Sequence, residues 1–257
     1  KILKQLLNFF NNLITMNTIK MTKDLLDYSK YKIYLNCESH AEKTIRIHSC
    51  KREPDTVEWI ENLPPKSVLF DIGANTGSYS LIAAAQNFIH EKNNNYQFNN
   101  SRISVVSIEP HPGNFISLIK NIYYNNLQNL IVPLNNAICS KNEIGFLNHW
   151  DGKPAKHPYG LMDPGSSGHQ LNNRESEYND NFTPLAIQPI LSLSLDKLSE
   201  LMNLVPSAIK IDVDGIELEI INGMKKVLKN PKLETILIEV NKNENLIKQI
   251  LFENGFK

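Results

Sequence analysis

Cysteine, net charge and long apolar runs are all scarce in this chain of 257 residues. Its three cysteines, Cys37, Cys50 and Cys139, are too few and too scattered for a disulfide framework or a zinc site. An odd number without a Cys-x-x-Cys pair is typical of a reducing compartment, and we expect a cytoplasmic protein. Lys and Arg number 27 and Asp and Glu number 27. This zero net charge argues against a protein that coats nucleic acid or anionic lipid.

The chain has no run of about 20 apolar residues, so we expect no transmembrane span. Residues 1–15 are apolar at helical spacing, but polar residues such as Lys4 and Asn8 interrupt them and no small-residue cleavage site follows. We therefore predict an amphipathic helix that packs on the protein or on a partner, not a signal peptide. Because the first residue is Lys1 and no cap follows the last apolar residues, we expect the natural chain to extend beyond both ends.

Residues 1–62 form a predicted accessory segment, with helices at about 2–15 and 20–28, strands at 31–35 and 44–48, and a helix opening at 53–55. From residue 63 onwards the pattern changes to a second unit, 63–257. Short apolar runs alternate there with helical periods, which predicts an α/β Rossmann-like fold with a mostly parallel sheet covered on both faces. The predicted strands are 68–72, 103–108, 130–134, 208–213 and 235–240, and the predicted helices are 77–86, 112–124, 217–228 and 245–254.

Two segments interrupt this alternation. The Asn-rich residues 90–101 cannot bury apolar area and are predicted to form a surface loop. Residues 150–189 are rich in Gly, Pro, Asn and Ser, and a loop of about forty residues in a compact domain is typical of a lid or a binding element. The alternative is a disordered insertion.

The segment FDIGANTGSYS (70–80) carries the strongest chemical signal. A buried strand ends at Asp71 and a glycine loop, Gly73 to Gly77, leads into a helix. Glycines there permit positive φ angles and a close approach of a ligand to the backbone. The dinucleotide pattern G-x-G-x-x-G is not met, and no Gly-Lys-Ser/Thr follows as in a P-loop. An acidic residue two positions before the first glycine suits a ligand with a positive amine, such as S-adenosylmethionine (SAM); the alternative is a plain strand-to-helix turn.

Glu109 ends the second predicted strand. A carboxylate at that position can accept hydrogen bonds from both ribose hydroxyls of a nucleoside cofactor. It follows Gly73 by 36 residues, where about twenty is usual, and the Asn-rich insertion accounts for much of the excess. A solvated Glu at a helix start is the alternative.

Charged residues also occupy the predicted central strand 208–213. Lys210, Asp212 and Asp214 lie on one face by alternation, whereas Ile209, Ile211 and Val213 lie on the other. A buried Lys is costly unless it is paired, so a Lys–Asp pair there indicates a functional site. A salt bridge at the strand end is the alternative.

Together these segments resemble the FkbM-type SAM-dependent methyltransferases, from about residue 53 to 257. The most specific block is IKIDVDGIELEIINGM (209–224), close to the family pattern K-x-D-x-E-G-x-E, with Asp214 where the family usually has Glu. The other matching blocks are FDIGANTGSYS (70–80), SIEPHPGNF (107–115), LSLSLDKL (191–198) and ILIEVN (236–241). The resemblance implies a class I methyltransferase fold, whose final antiparallel β-hairpin this chain stops short of, and O-methylation of hydroxyls on sugars, glycans or small metabolites.

The resemblance also implies roles for individual residues. Asp212 would face the transferred methyl group as the first candidate base, with Lys210 and Glu217 behind it, and we expect His169 on the long loop as the second candidate base. The residues expected to bind SAM are Asp71, Gly73, Ala74, Asn75 and Gly77 at its methionine end, Glu109 at its ribose, and Asn136 and Ala137 at its adenine.

Several alternatives remain open at this point. A divalent metal is not expected, but Asp212, Glu239 and Asn241 follow adjacent strands and offer oxygen ligands that suit Mg²⁺. An NAD-linked oxidoreductase is one alternative, but this sequence lacks the second glycine of the dinucleotide-binding motif. A nucleic-acid methyltransferase is another, and it would need a basic surface with aromatic side chains. We expect a small-molecule or glycan acceptor and no nucleic-acid partner. The non-enzyme alternative is a catalytically degenerate methyltransferase fold that serves as a binding module.

Overall fold

The computed structural model describes residues 22–94, 104–149, 164–172, 183–240 and 242–257. The predicted helix at 2–15, most of the Asn-rich insertion, much of the long loop and Asn241 lie outside these residues. None of the helices in the described ranges is both long and apolar enough to cross a membrane.

Residues 22–62 fold against the sheet that follows them. They form β1 (Lys23–Leu25), β2 (Tyr34–Asn36), α1 (His40–Thr44), a 3₁₀ turn (Arg46–His48), α2 (Ser49–Arg52) and α3 (Pro54–Glu61). Their apolar side chains, including Leu26, Ile33 and Ile60, share one core cluster with the helix after the glycine loop. Thus the accessory segment helps to build one face of the main core.

Five parallel strands form the central sheet, in the order β11-β10-β3-β4-β5. The elements from residue 69 onwards are β3 (Leu69–Ile72), α4 (Ser78–Asn94), β4 (Val105–Ile108), α5 (Pro112–Tyr124), β5 (Ile131–Leu134), β6 (Ala137–Ile138), β7 (Glu143–His149), β8 (Gln170–Leu171), β9 (Ala186–Leu193), α6 (Leu195–Met202), β10 (Ala208–Ile211), α7 (Glu217–Asn222), α8 (Lys225–Leu228), β11 (Thr235–Ile238) and α9 (Glu244–Glu253). One hydrophobic cluster lies around α4 and α5, and a second lies around α6, α7, α8 and α9. Helices therefore cover both faces, as the apolar strands predict, and the Rossmann-like architecture is confirmed.

A second, four-stranded sheet of order β6-β9-β7-β8 continues from β5. The sequence prediction of one loop over residues 150–189 is wrong in part, because β8 lies inside that range and β9 begins in it. The two short strands β6 and β8 are held by their longer neighbours: β6 pairs in parallel with β9, and β8 pairs antiparallel with β7.

Three other element predictions are corrected by the structure. The predicted helix at 20–28 is replaced by β1, which pairs antiparallel with β2. The predicted strand at 44–48 is the end of α1 and a 3₁₀ turn, and α1 starts at a capping box of Ser39 and Glu42. The predicted helix 217–228 is divided at Gly223, where an added Cβ would lie 2.3 Å from the carbonyl oxygen of Cys139.

Candidate functional site

The glycine loop after β3 lies directly against the end of β10. Gly73 has φ +81°, and a Cβ there would lie 1.9 Å from the carbonyl oxygen of Asp212. Gly77 has φ +90°, and its Cβ would lie 2.4 Å from Leu118 Cδ1 of α5. Only glycine combines these φ angles with such close packing. The loop is therefore fixed between its neighbouring elements at the carboxyl edge of the sheet.

Glu109 stabilises this loop from the end of β4. Its Oε2 accepts the backbone N–H of Asn75 at 2.8 Å, and its Oε1 accepts the backbone N–H of His111 at 2.8 Å and a longer bond of 3.5 Å from Asn114 Nδ2. The residue is only 5% exposed. Burial raises the pKa of Glu109 to about 7, although the donors from His111, Asn75 and Asn114 lower it.

Lys210 and two carboxylates form a buried cluster behind the loop. Lys210 Nζ lies 2.6 Å from Asp212 Oδ2 and 3.7 Å from Asp71 Oδ1. Burial opposes the charge, but Asp212 and Asp71 outweigh it and raise the pKa of Lys210 above its ordinary value. Asp71 is fully buried, its Oδ2 accepts the Ser80 hydroxyl at 2.6 Å, and its Oδ1 has no hydrogen-bond partner. The Lys–Asp pair predicted from strand alternation is thus present.

Asp212 also faces Glu239, at the end of the neighbouring strand β11. Burial acts to raise the pKa of Asp212, but Lys210 outweighs it and holds that pKa below its ordinary value. Desolvation and the charge of Asp212 raise the pKa of Glu239 to about 7. Asp212 keeps 32% of its side chain exposed, whereas Lys210 has only 2% exposed. The two carboxyl groups can therefore hold one proton between them at a position that solvent reaches.

Residues 164–172, which we call the strap, lie across the glycine loop and Glu109. The Ser166 carbonyl oxygen accepts hydrogen bonds from Asn75 Nδ2 at 2.9 Å and from Asn114 Nδ2 at 3.0 Å. At its other end, Gly168 N donates to Asp214 Oδ2 at 2.7 Å. The strap thus lies over the carboxyl ends of the strands.

Arg46 connects the accessory segment to the strap. Its guanidinium donates to the Gly165 carbonyl oxygen through Nε at 2.9 Å and through a terminal nitrogen at 2.6 Å. Burial lowers the pKa of Arg46, and the charges of Asp212 and Glu109 act in the opposite direction. Our sequence analysis missed Arg46, because no motif surrounds it. It also gave Glu239 only as a metal ligand. The sequence places Glu239 and Asp212 at the ends of adjacent predicted strands, so their proximity could have been predicted.

The remaining predicted site residues are more dispersed. Glu217 is buried and its Oε1 accepts the Gly215 N–H at 2.9 Å, so it holds the turn before α7. Asn136 Nδ2 donates to the Leu191 carbonyl oxygen at 3.3 Å, and Ala137 begins β6. His169 lies in the strap, with Nε2 3.1 Å from Ser166 Oγ. Ala74 is buried within the glycine loop.

Comparison with known proteins identifies a family and distant relatives. A profile described as the methyltransferase FkbM domain matches residues 71–257. The chain is 22% identical over 215 residues to the "Hexuronic acid methyltransferase AglP" of Haloferax volcanii, a match that spans 82% of this chain and 73% of that protein.

Two solved structures are also similar to the chain. One is a SAM-dependent methyltransferase from Agrobacterium tumefaciens, with 9% identity, a TM-score of 0.46, and coverage of 91% of this chain and 58% of that one. The other is a methyltransferase FkbM from Methylobacillus flagellatus KT, with 14% identity, a TM-score of 0.42, and coverage of 79% and 53%. The matches span little more than half the length of these two solved chains.

Proposed function

The chain belongs to the FkbM methyltransferase domain family, and we propose that it transfers a methyl group from SAM to a hydroxyl group of a sugar, a glycan or another small metabolite. The relative in Haloferax volcanii is named as a hexuronic acid methyltransferase, which supports a sugar acceptor. The matched family and relative support SAM as the donor. SAM supplies a methyl group already activated by a sulfonium, so the protein has mainly to align the two reactants.

The Asp212–Glu239 pair is the observation that carries the proposal. An acceptor hydroxyl must lose its proton as the new C–O bond forms, and a base with a pKa near the working pH does this best. The pKa of Glu239 is raised to about 7, and Asp212 is held ionised by Lys210 at 2.6 Å. We assign Asp212 the orientation of the acceptor hydroxyl and the Asp212–Glu239 pair the uptake of its proton.

Glu109, at the end of β4, has room to accept a ribose hydroxyl, but one of its present hydrogen bonds must first be replaced. A carboxylate has about four lone-pair positions, and Glu109 uses three of them on Asn75, His111 and Asn114. The long bond from Asn114 is the one that a ribose hydroxyl would replace. Since Asn114 also holds the strap through Ser166, we propose that the strap shifts when a cofactor occupies this edge.

Purified protein should be assayed with SAM labelled in its methyl group, using glucuronic acid and glucose as free sugars and as simple glycosides. We expect label in an acceptor, with Asp212→Asn and Glu239→Gln both impaired and the surface variant Glu244→Gln unchanged. Binding of SAM without transfer to any acceptor would instead favour a catalytically degenerate binding module. Absence of SAM binding would overturn the cofactor assignment.

A further inference from the structure

Three histidines that are distant in the sequence lie together at the strap, and one of them belongs to it. His111 precedes α5, His149 ends β7 and His169 precedes β8. Their ring centroids are 4.2 to 5.3 Å apart, and one ring nitrogen of each lies within 4.8 Å of those of the other two. Three imidazoles are the protein ligands of zinc sites that keep a fourth coordination position open. The cysteine count was uninformative here, because this donor set uses no sulfur.

His149 provides independent support for a bound cation. Its side chain is buried, with only 2% of the residue exposed, and its Nε2 lies 3.1 Å from Gln188 Oε1. Because that amide oxygen can only accept, Nε2 carries the hydrogen and Nδ1 keeps its lone pair. Nδ1 is buried and has no hydrogen-bond partner, which is costly unless a ligand satisfies it. A side-chain oxygen on the other ring nitrogen is also how proteins orient metal-binding histidines.

We propose that His111, His149 and His169 bind one divalent transition-metal ion of the Zn²⁺ type. Neutral imidazole suits such ions, whereas Mg²⁺ and Ca²⁺ prefer oxygen ligands. The ion would join the start of α5, the second sheet and the end of the strap at His169. The proposal is independent of methyl transfer, since it requires neither SAM nor an acceptor.

Binding requires a small rearrangement of the three rings. Tetrahedral zinc places its nitrogen ligands about 3.3 Å apart, so nitrogens that are up to 4.8 Å apart must converge. The rings of His111 and His169 are stacked at an interplanar angle of 5°, and the second side-chain torsion of histidine has a broad preference, so a change of ring angle costs little torsional energy.

His111 has to give up its role as a helix cap. Its Nδ1 accepts the Asn114 N–H at 3.2 Å, and a neutral ring cannot keep that bond while its other nitrogen coordinates a metal. Zinc coordination is much stronger than one capping hydrogen bond. Metal binding should therefore expose the Asn114 amide to faster hydrogen exchange, a change that an ion on the protein surface would not cause.

The experiment is titration of the full chain with Zn²⁺ alone at pH 7, and with Co²⁺, whose absorption spectrum reports tetrahedral nitrogen ligands. We expect one ion per chain and faster exchange at Asn114. His149→Gln should lower the affinity by more than about 100-fold, and Gln188→Ala by about 10–100-fold, the usual effect of losing a partner of a ligand. His48→Gln, at an exposed position, is the control and should bind as the wild type does.

Equal affinity in the wild type and His149→Gln would overturn the proposal, as would failure of both ions to bind. Thermal unfolding without metal checks that each variant is folded, and if His149→Gln does not fold, Gln188→Ala decides. Since the readouts are ion binding and amide exchange, a negative result here leaves the methyl-transfer proposal standing, and the reverse also holds.

Discussion

Lys210 and Asp71 face each other on neighbouring parallel strands, and Lys210 Nζ lies 3.7 Å from Asp71 Oδ1 with both side chains buried. The same ammonium lies 2.6 Å from Asp212 Oδ2, which is partly exposed at the strand end. The buried ammonium of Lys210 therefore contacts both Asp71 in the core and Asp212 in the candidate site. Both the stability of the fold and the activity should therefore depend on Lys210, and the two effects can be tested separately.

We predict that Lys210→Met destabilises the protein by about 3 kcal/mol, since removing one partner leaves a buried charge uncompensated. The measurement is urea denaturation followed by circular dichroism. Lys248→Met is the control, because Lys248 forms an exposed pair with Glu244 on α9 and such pairs add little. An unchanged midpoint in Lys210→Met would show that Asp71 does not need the ammonium.

Asp212→Asn should keep the fold and lower single-turnover methyl transfer by about 100-fold or more, the scale of a lost general base. The amide has nearly the same shape, but it cannot hold a proton together with Glu239. Asp55→Asn, at an exposed position of α3, is the matched control. Normal transfer by Asp212→Asn would remove this residue from the catalytic group.

The central sheet was predictable because its strands are mostly apolar on both faces. A short apolar run of this kind is a local signal that four or five consecutive residues already show. The second sheet was not, because β6 and β8 have two residues each and are held only by their long neighbours. The error at 44–48 was avoidable, since Ser39 and Glu42 stand at capping-box spacing just before it.

The residues of the candidate site also fall into a group that the sequence predicts and a group that it does not. The glycine loop, Glu109, Lys210 and Asp212 follow strand ends, where a sequence pattern can place them. Arg46 and the three histidines meet only through packing between distant elements. His111 and His149 are 38 residues apart in the chain, and no local periodicity connects them.

Glu109→Gln should weaken SAM binding by about 1–3 kcal/mol, because a charge-assisted acceptor becomes a neutral one. Gln is preferable to Ala here, because its amide oxygen can still accept one of the two backbone N–H groups of Asn75 and His111, whereas Ala accepts neither. Calorimetric titration with SAM gives the affinity, and Glu58→Gln at an exposed site of α3 is the control. Unchanged affinity in Glu109→Gln would contradict the ribose assignment.

Turnover should rise with pH through about 7, the raised pKa of Glu239, because the pair accepts a proton only after losing one. Glu239→Gln should reduce this inflection, and the part that remains is assigned to Glu109, whose pKa is also raised to about 7. Stability should change in the opposite direction: the folded state keeps a proton between the ordinary pKa of 4.5 and about 7, while the unfolded state does not, so stability falls as pH rises across that range. The effect should be small, since Glu239 is exposed and solvent screens its interactions. A wild-type profile that is flat between pH 6 and 8 would argue against the pair as the base.

Gly165→Ala should loosen the strap. Gly165 has φ +89°, and an added Cβ would lie 3.2 Å from both Ala41 Cβ and Arg46 Cγ. Its N–H donates to Asn114 Oδ1 at 2.7 Å and its carbonyl oxygen accepts from Arg46, so displacement would break contacts on both sides. We expect proteolysis within residues 164–172 to be several-fold faster and methyl transfer to fall.

Gly255→Ala is the matched control for the strap. Gly255 has φ +93°, and no described atom lies within 4 Å of an added Cβ. It therefore imposes a similar backbone strain of about 1–2 kcal/mol without a steric conflict, and it lies far from the strap in the sequence. Equal rates of proteolysis and of methyl transfer in Gly165→Ala and Gly255→Ala would show that backbone strain alone explains both variants. The contacts of Gly165 would then not hold the strap in place.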